Sequence, residues 1–124
     1  MSRKALIVDD IEKNRRLLRM LMEYSGFEVI EAEEGQTGVM LAKEHKPDII
    51  LMDIQMPVMD GVAAMKAIRA DPELSAIPII AVTSYAMQGD MEHFLNQGFD
   101  SYISKPINTK DFHNRIASVL KTPE

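Results

Sequence analysis

The sequence predicts a doubly wound α/β domain built on a five-stranded parallel sheet, and three observations carry that prediction. Five short apolar, β-type runs are spaced along 124 residues. The segments between them have helical periodicity, and alternating strands and helices mean βαβ units with right-handed crossovers around a parallel sheet. The first, third and fourth runs are apolar at nearly every position, the pattern of strands covered on both faces.

Taken in order, the first strand is Ala5 to Val8, followed by a helix in which Leu18, Leu21 and Met22 share one face. Gly26 stands where that helix should stop, because glycine accepts the left-handed conformation that ends helices. The second strand is Phe27 to Ile30, followed by Glu31, and Gln36 to His45 makes a shorter helix closed by Pro47. The third strand, Ile49 to Met52, leads through Met56-Pro57 and Asp60-Gly61 into a third helix, where Val62, Met65 and Ile68 recur every third residue. Pro72 lies beyond it. Ile77 to Val82 is the fourth strand, and Met87 to Gln97 a helix ending at Gly98. Ser101 to Ser104 is the fifth strand. The last helix carries the stripe Phe112, Ile116, Val119 and Leu120, with Asn108 as its N-cap and Asp111 three residues on. The expected strand order is the flavodoxin-like 2-1-3-4-5.

Composition narrows the function. Hydrophobic residues make up 46% and charged ones 27%, ordinary for a globular chain that needs no metal or disulfide staple. A net charge of −5 argues against binding nucleic acid, which requires a basic face. The absence of cysteine excludes disulfide and thiolate chemistry. The start MSRKALIVDD is no signal peptide, and no apolar run approaches the ~20 residues that span a bilayer. One cytoplasmic domain over residues 1–124 is expected, with no membrane or nucleic-acid partner. The Met1 start and short tail are those expected of a stand-alone protein, its last residues, Lys121 to Glu124, frayed.

In open α/β sheets, ligands bind beyond the carboxyl ends of the strands, where strand order reverses. Those ends carry Asp9-Asp10, Asp53, Thr83-Ser84 and Lys105-Pro106. Three converging carboxylates repel one another unless a cation neutralises them or some take up protons. Oxygen ligands without His or Cys suit Mg²⁺, which binds through one or two carboxylates plus waters and a phosphate. The hydroxyl of Thr83 and the ammonium of Lys105 would then meet phosphoryl oxygens. A carboxylate in such a place can itself attack phosphorus, and Asp53, on the central strand, is the best-placed nucleophile. Each group alone has an ordinary explanation: helix capping for Asp9-Asp10, a strand-end cap for Asp53, a β-former for Thr83, a solvated charge for Lys105. The conjunction of four strand ends favours chemistry.

With Asp9-Asp10, the D-x-x-M-P-x-x-D-G run from Asp53 to Gly61, Thr83 and Lys105-Pro106 in place, the sequence resembles the receiver domain of two-component response regulators over essentially its whole length. The resemblance implies that Asp53 accepts a phosphoryl group from a histidine kinase or a histidine phosphotransfer protein. It implies Mg²⁺ held by Asp10, Asp53 and the backbone carbonyl of Gln55, with Asp9 assisting through water. Thr83 and Lys105 would contact the phosphoryl group, Tyr102 would be the aromatic switch, and the Lys105–Pro106 bond would be cis. The output would be a changed protein-binding surface on helix four, strand five and helix five, read by an effector protein. The texture of AVTSYAMQGD and SYISKPI is most similar to stand-alone, DivK-like regulators. Ser84 departs from the alanine more usual after the threonine, and Gln55 and Tyr85 lie where the family tunes dephosphorylation.

The implied role is a phosphoryl-switched signalling module, not a turnover enzyme beyond its own phosphorylation and dephosphorylation. Within the family the alternative is a phosphate shuttle or sink in a phosphorelay. An aspartate-nucleophile phosphatase of the haloacid-dehalogenase type needs a second acid two residues after the first, where this chain has Gln55. A flavodoxin needs a hydroxyl- or glycine-rich phosphate loop after the first strand, where this chain has two acids, and there is no G-x-G-x-x-G for a dinucleotide. Lys13, Arg15, Arg16 and Arg19 read as a solvated basic face of the first helix, and His45, His93 and His113 as solvated. Glu31 contributes nothing recognisable at its strand end. Ten methionines suggest adaptable core packing.

Overall fold

The computed structural model describes residues 3–56, 59–84 and 88–120. Expectations at Pro57, Tyr85, Met87 and the tail 121–124 lie outside the described residues. The elements run β1 (Arg3–Val8), α1 (Glu12–Tyr24), β2 (Phe27–Ala32), α2 (Gly35–His45), β3 (Ile49–Asp53), α3 (Gly61–Arg69), β4 (Ile79–Thr83), α4 (Gln88–Gln97), β5 (Ser101–Ser104) and α5 (Thr109–Val119). All strand pairs are parallel and the order is β2-β1-β3-β4-β5, as the sequence predicts.

Side chains alternate across the sheet, and both faces are covered. Leu6, Val8, Ile50, Met52 and Ala81 pack with Met65, Ile68 and Phe94 of α3 and α4. Ala5, Ile7, Leu51, Ile80 and Val82 pack with Leu18 and Met22 of α1 and Phe112 and Ile116 of α5. Every residue of β3 and β4 is buried, which is why their sequences do not alternate polar and apolar. Gly26 (φ 93°) and Gly98 (φ 130°) end α1 and α4 in the left-handed region expected of them. Asn108 Oδ1 accepts from Asp111 N at 2.9 Å, capping α5.

Several boundaries differ from the expected ones for identifiable reasons. β4 starts at Ile79, not Ile77: Pro78 has no N–H to give a ladder, although its carbonyl accepts from Ile50 N. β2 runs on to Ala32, because the Ala32 carbonyl accepts from Asp9 N at 3.1 Å. β3 includes Asp53, paired in register with Val82 of β4. At the opposite end of the sheet, Arg69 closes α3 by donating to the carbonyls of Ser75, Ile77 and Gly98 and to Asp100 Oδ2 at 2.6 Å. Asp100 Oδ2 also accepts from Ile79 N at 2.8 Å, so one ion pair ties the starts of β4 and β5 to α3.

Candidate functional site

The carboxyl ends of β1, β3, β4 and β5 bring together the residues that the sequence marks there. Val8 pairs with Met52, so Asp9 and Asp53 follow at the same level on adjacent strands. Asp53 is 1% exposed, Asp9 and Thr83 are fully buried, and Asp10 faces solvent. Lys105 Nζ lies 3.3 Å from Asp53 Oδ1 and 3.7 Å from Asp9 Oδ2. Its backbone is held to β4 through Lys105 N donating to Thr83 O at 2.8 Å, and the Lys105–Pro106 peptide is cis. Gln55 N donates to Asp53 Oδ1 at 3.3 Å, which sets the Gln55 peptide beside the carboxylate.

The loop after β3 is fixed by contact. Gly61 N donates to Ile54 O, and a Cβ at Gly61 would overlap the Asp53 carbonyl. Asp60 caps α3 by accepting from Ala63 N at 2.9 Å. The Asp60-Gly61 pair thus combines a helix cap with the one side chain small enough to pass the backbone of Asp53.

Electrostatically the cleft is under strain. Burial, and next the charge of Asp9, push the Asp53 carboxyl from 3.8 up to about 6, while Lys105 opposes them. Burial also raises Asp9, with the Ile11 N–H and Lys105 pulling the other way. Asp9 is not the N-cap of α1. That position is Ile11, whose N–H gives 2.9 Å to Asp9 Oδ1. Asp9 Oδ2 is buried without a hydrogen-bond partner among the described residues, and Asp9, Asp10 and Asp53 each offer an oxygen within 4.8 Å of the others. A buried carboxylate oxygen that has the Lys105 ammonium at 3.7 Å but no hydrogen bond, in an all-oxygen set, fits a hard divalent cation.

Tyr102 on β5 is half-buried. Its hydroxyl accepts from Arg115 Nη2 at 2.9 Å, and the Arg115 guanidinium lies 4.1 Å from the ring centroid.

Two sequence readings need correction. Arg15 is 8% exposed and donates to the Asp9 carbonyl at 2.8 Å and to Glu31 Oε1 at 3.2 Å. Arg19 donates to the other Glu31 oxygen at 2.8 Å. The basic face of α1 is therefore partly turned inward, and Glu31, read as silent, is its anchor on β2. The i, i+4 spacing of Arg15 and Arg19 was the available signal. Nor is every histidine solvated: His93 is exposed, but His113 is half-buried, packing edge-on to Phe112 with Nδ1 3.3 Å from Ser25 Oγ.

A model of the response regulator receiver domain matches residues 5–117, and the chain belongs to that family of two-component signalling proteins. The polar-differentiation response regulator DivK of Brucella anthropi is 46% identical over 120 residues, 97% of this chain and 98% of that protein. Among solved structures, the receiver domain of sensor histidine kinase PA1611 from Pseudomonas aeruginosa has a magnesium ion coordinated in its active site cleft. It superposes with a TM-score of 0.88 at 30% identity, covering 98% of this chain and 100% of that one. CheY in the CheX-CheY-BeF3-Mg complex of Borrelia burgdorferi has a TM-score of 0.89 at 27% identity, with 97% and 90% covered. The chain is thus similar to DivK in sequence and has the flavodoxin-like receiver fold. No helix among the described residues is long and apolar enough to cross a membrane.

Proposed function

We propose that Asp53 accepts a phosphoryl group from a phosphohistidine of a kinase or phosphotransfer protein, in a Mg²⁺-dependent reaction that changes the surface presented to an effector. The observation that carries this reading is the buried Asp53 carboxylate at the end of β3, between the Asp9 and Lys105 side chains. A carboxylate oxygen of Asp53 attacks phosphorus, the P–N bond breaks, and the imidazole leaves with the electron pair and takes up a proton. The product is an acyl phosphate on Asp53. Asp10, Asp53 and the Gln55 carbonyl, with Asp9 through water, would hold the cation, which offsets the repulsion between acidic cleft and incoming phosphate. Lys105, already at the carboxylate, and Thr83, at the end of the next strand, would take the new phosphoryl oxygens.

Recruiting Thr83 and Lys105 biases the β4 and β5 ends toward a second arrangement. Tyr102 would link this to the surface: an inward turn of its ring would break the contact with Arg115 and leave that guanidinium on α5 with Asp111, 3.3 Å away, as its side-chain partner among the described residues. The face of α4, β5 and α5 is the expected effector site. The cytoplasm is the compartment in which such a partner set would be met.

The test is incubation with Mg²⁺ and a small phosphodonor, followed by mass analysis for a base-labile phosphoryl adduct. Wild type should gain one phosphoryl group, Asp53→Asn none, and Asp10→Ala far less. An unchanged adduct on Asp53→Asn, or equal labelling with and without Mg²⁺, overturns the reading.

A further inference from the structure

We propose that Arg15 is a positioning residue for the acid cleft, holding with Glu31 the peptide that joins Asp9 to Asp10 so that both carboxylates face the cation. The proposal rests on the reading of Asp9, Asp10 and Asp53 as a divalent-cation site. The carbonyl that Arg15 Nη1 engages at 2.8 Å belongs to the peptide bond between the two acids. The N–H on the other side of Asp9 donates to Ala32 O on β2. The backbone of Asp9 is therefore pinned on both sides, by the edge strand and by a helix side chain. This matters because the turn carries like charges next to Asp53, which repel one another unless a cation neutralises them.

The pin is itself built to stay in place. A guanidinium 8% exposed must have its donors engaged, and Arg15 uses the fork of its planar head to reach Asp9 and Glu31 together. Glu31 is fixed in turn, with one oxygen on Arg15 and the other on Arg19. Glu31 lies on β2 opposite Ile7, two residues before Asp9. An ionic chain thus runs from the half-exposed Arg19 on α1 through β2 to the acid pair.

Charge alone and positioning predict opposite signs. Arg15 is a positive charge acting on Asp9, so removing it should tighten Mg²⁺ binding if its field were all that mattered. If it positions the Asp9–Asp10 peptide, removing it should weaken binding. The experiment is a Mg²⁺ titration of the unphosphorylated protein, followed by amide chemical shifts, on wild type, Arg15→Gln, Arg15→Lys, Glu31→Gln and Arg16→Gln. Arg15→Gln should weaken Mg²⁺ three- to tenfold and Glu31→Gln somewhat less. Arg15→Lys should restore part of the affinity, and Arg16→Gln, whose pair with Glu12 is exposed, should change nothing. Amide exchange at Asp10 and Ile11 should quicken in Arg15→Gln.

Unchanged or tighter Mg²⁺ binding by folded Arg15→Gln overturns the proposal, even if its urea midpoint falls. Should Arg15→Gln not fold, Arg15→Lys decides: it keeps the charge but not the planar fork, so weaker Mg²⁺ binding supports positioning and unchanged binding overturns it. Failure of the wild type to bind Mg²⁺ overturns the cation site itself, a separate result.

Discussion

Replacing Asp53 by asparagine should make the metal-free protein more stable, although it removes the central residue of the site. In the folded state the carboxyl titrates at about 6, against 3.8 when unperturbed, because it is buried beside Asp9. Between those values the folded protein binds more protons than the unfolded chain, so stability falls as pH rises through that window and stays lower above it. At about 1.4 kcal/mol per pH unit, the ionised carboxyl costs the fold about 3 kcal/mol. Asparagine has the same shape without the charge, and Lys105 keeps Asp9 as a neighbour. Urea unfolding at pH 7.5 in chelator should therefore move to a higher midpoint by about 1–2 M, for a slope of about 2 kcal/mol per molar. The gain should shrink toward pH 4, where the wild-type carboxyl is protonated in the folded state and close to half protonated in the unfolded chain. Saturating Mg²⁺ should narrow it from the other side, by stabilising the wild type more than the variant. Equal or lower stability of Asp53→Asn at pH 7.5 without metal, or a gain independent of pH, would refute the electrostatic account.

Lys105→Met should raise the Asp53 midpoint above 6, since Lys105 is the charge that lowers it; carboxyl ¹³C shifts against pH measure this, and an unmoved midpoint counts against the contact. Gly61→Ala should destabilise by more than about 2 kcal/mol and slow phosphorylation, because the added methyl meets the Asp53 backbone; denaturation and labelling kinetics check both. Arg69→Ala should cost about 2–4 kcal/mol by taking the guanidinium donor from the carbonyls of Ile77 and Gly98 and the ion pair from Asp100, which keeps the Ile79 N–H, while Mg²⁺ affinity stays unchanged.

Much of this was legible in the chain because the signals are local or topological. Apolar runs without alternation gave the central strands, and strand order then set Asp9, Asp53, Thr83 and Lys105 at one end of the sheet. What stayed hidden depends on side-chain reach across elements. Arg15 and Glu31 are 16 residues apart, and although the i, i+4 spacing of Arg15 and Arg19 puts them on one helix face, it does not say that the face meets Glu31 on the edge strand. The same holds for Asp100 and Arg69, 31 residues apart, which no pattern along the chain connects. Pro78 was visible, but an apolar run through it masked the missing N–H that delays β4.

The Arg69 guanidinium sits at the amino ends of β4 and β5, away from the acid cleft at their carboxyl ends. One pole of the sheet is tied by satisfied hydrogen bonds, and the other holds charges that repel. Resistance to opening should therefore be graded along each strand. Amide hydrogen at Ile79 should exchange only when the whole molecule unfolds, and amides beside Asp53 and Thr83 through smaller, local excursions. A site that must admit a phosphoryl group then gains its freedom at one end of the strands, while the other end keeps the register.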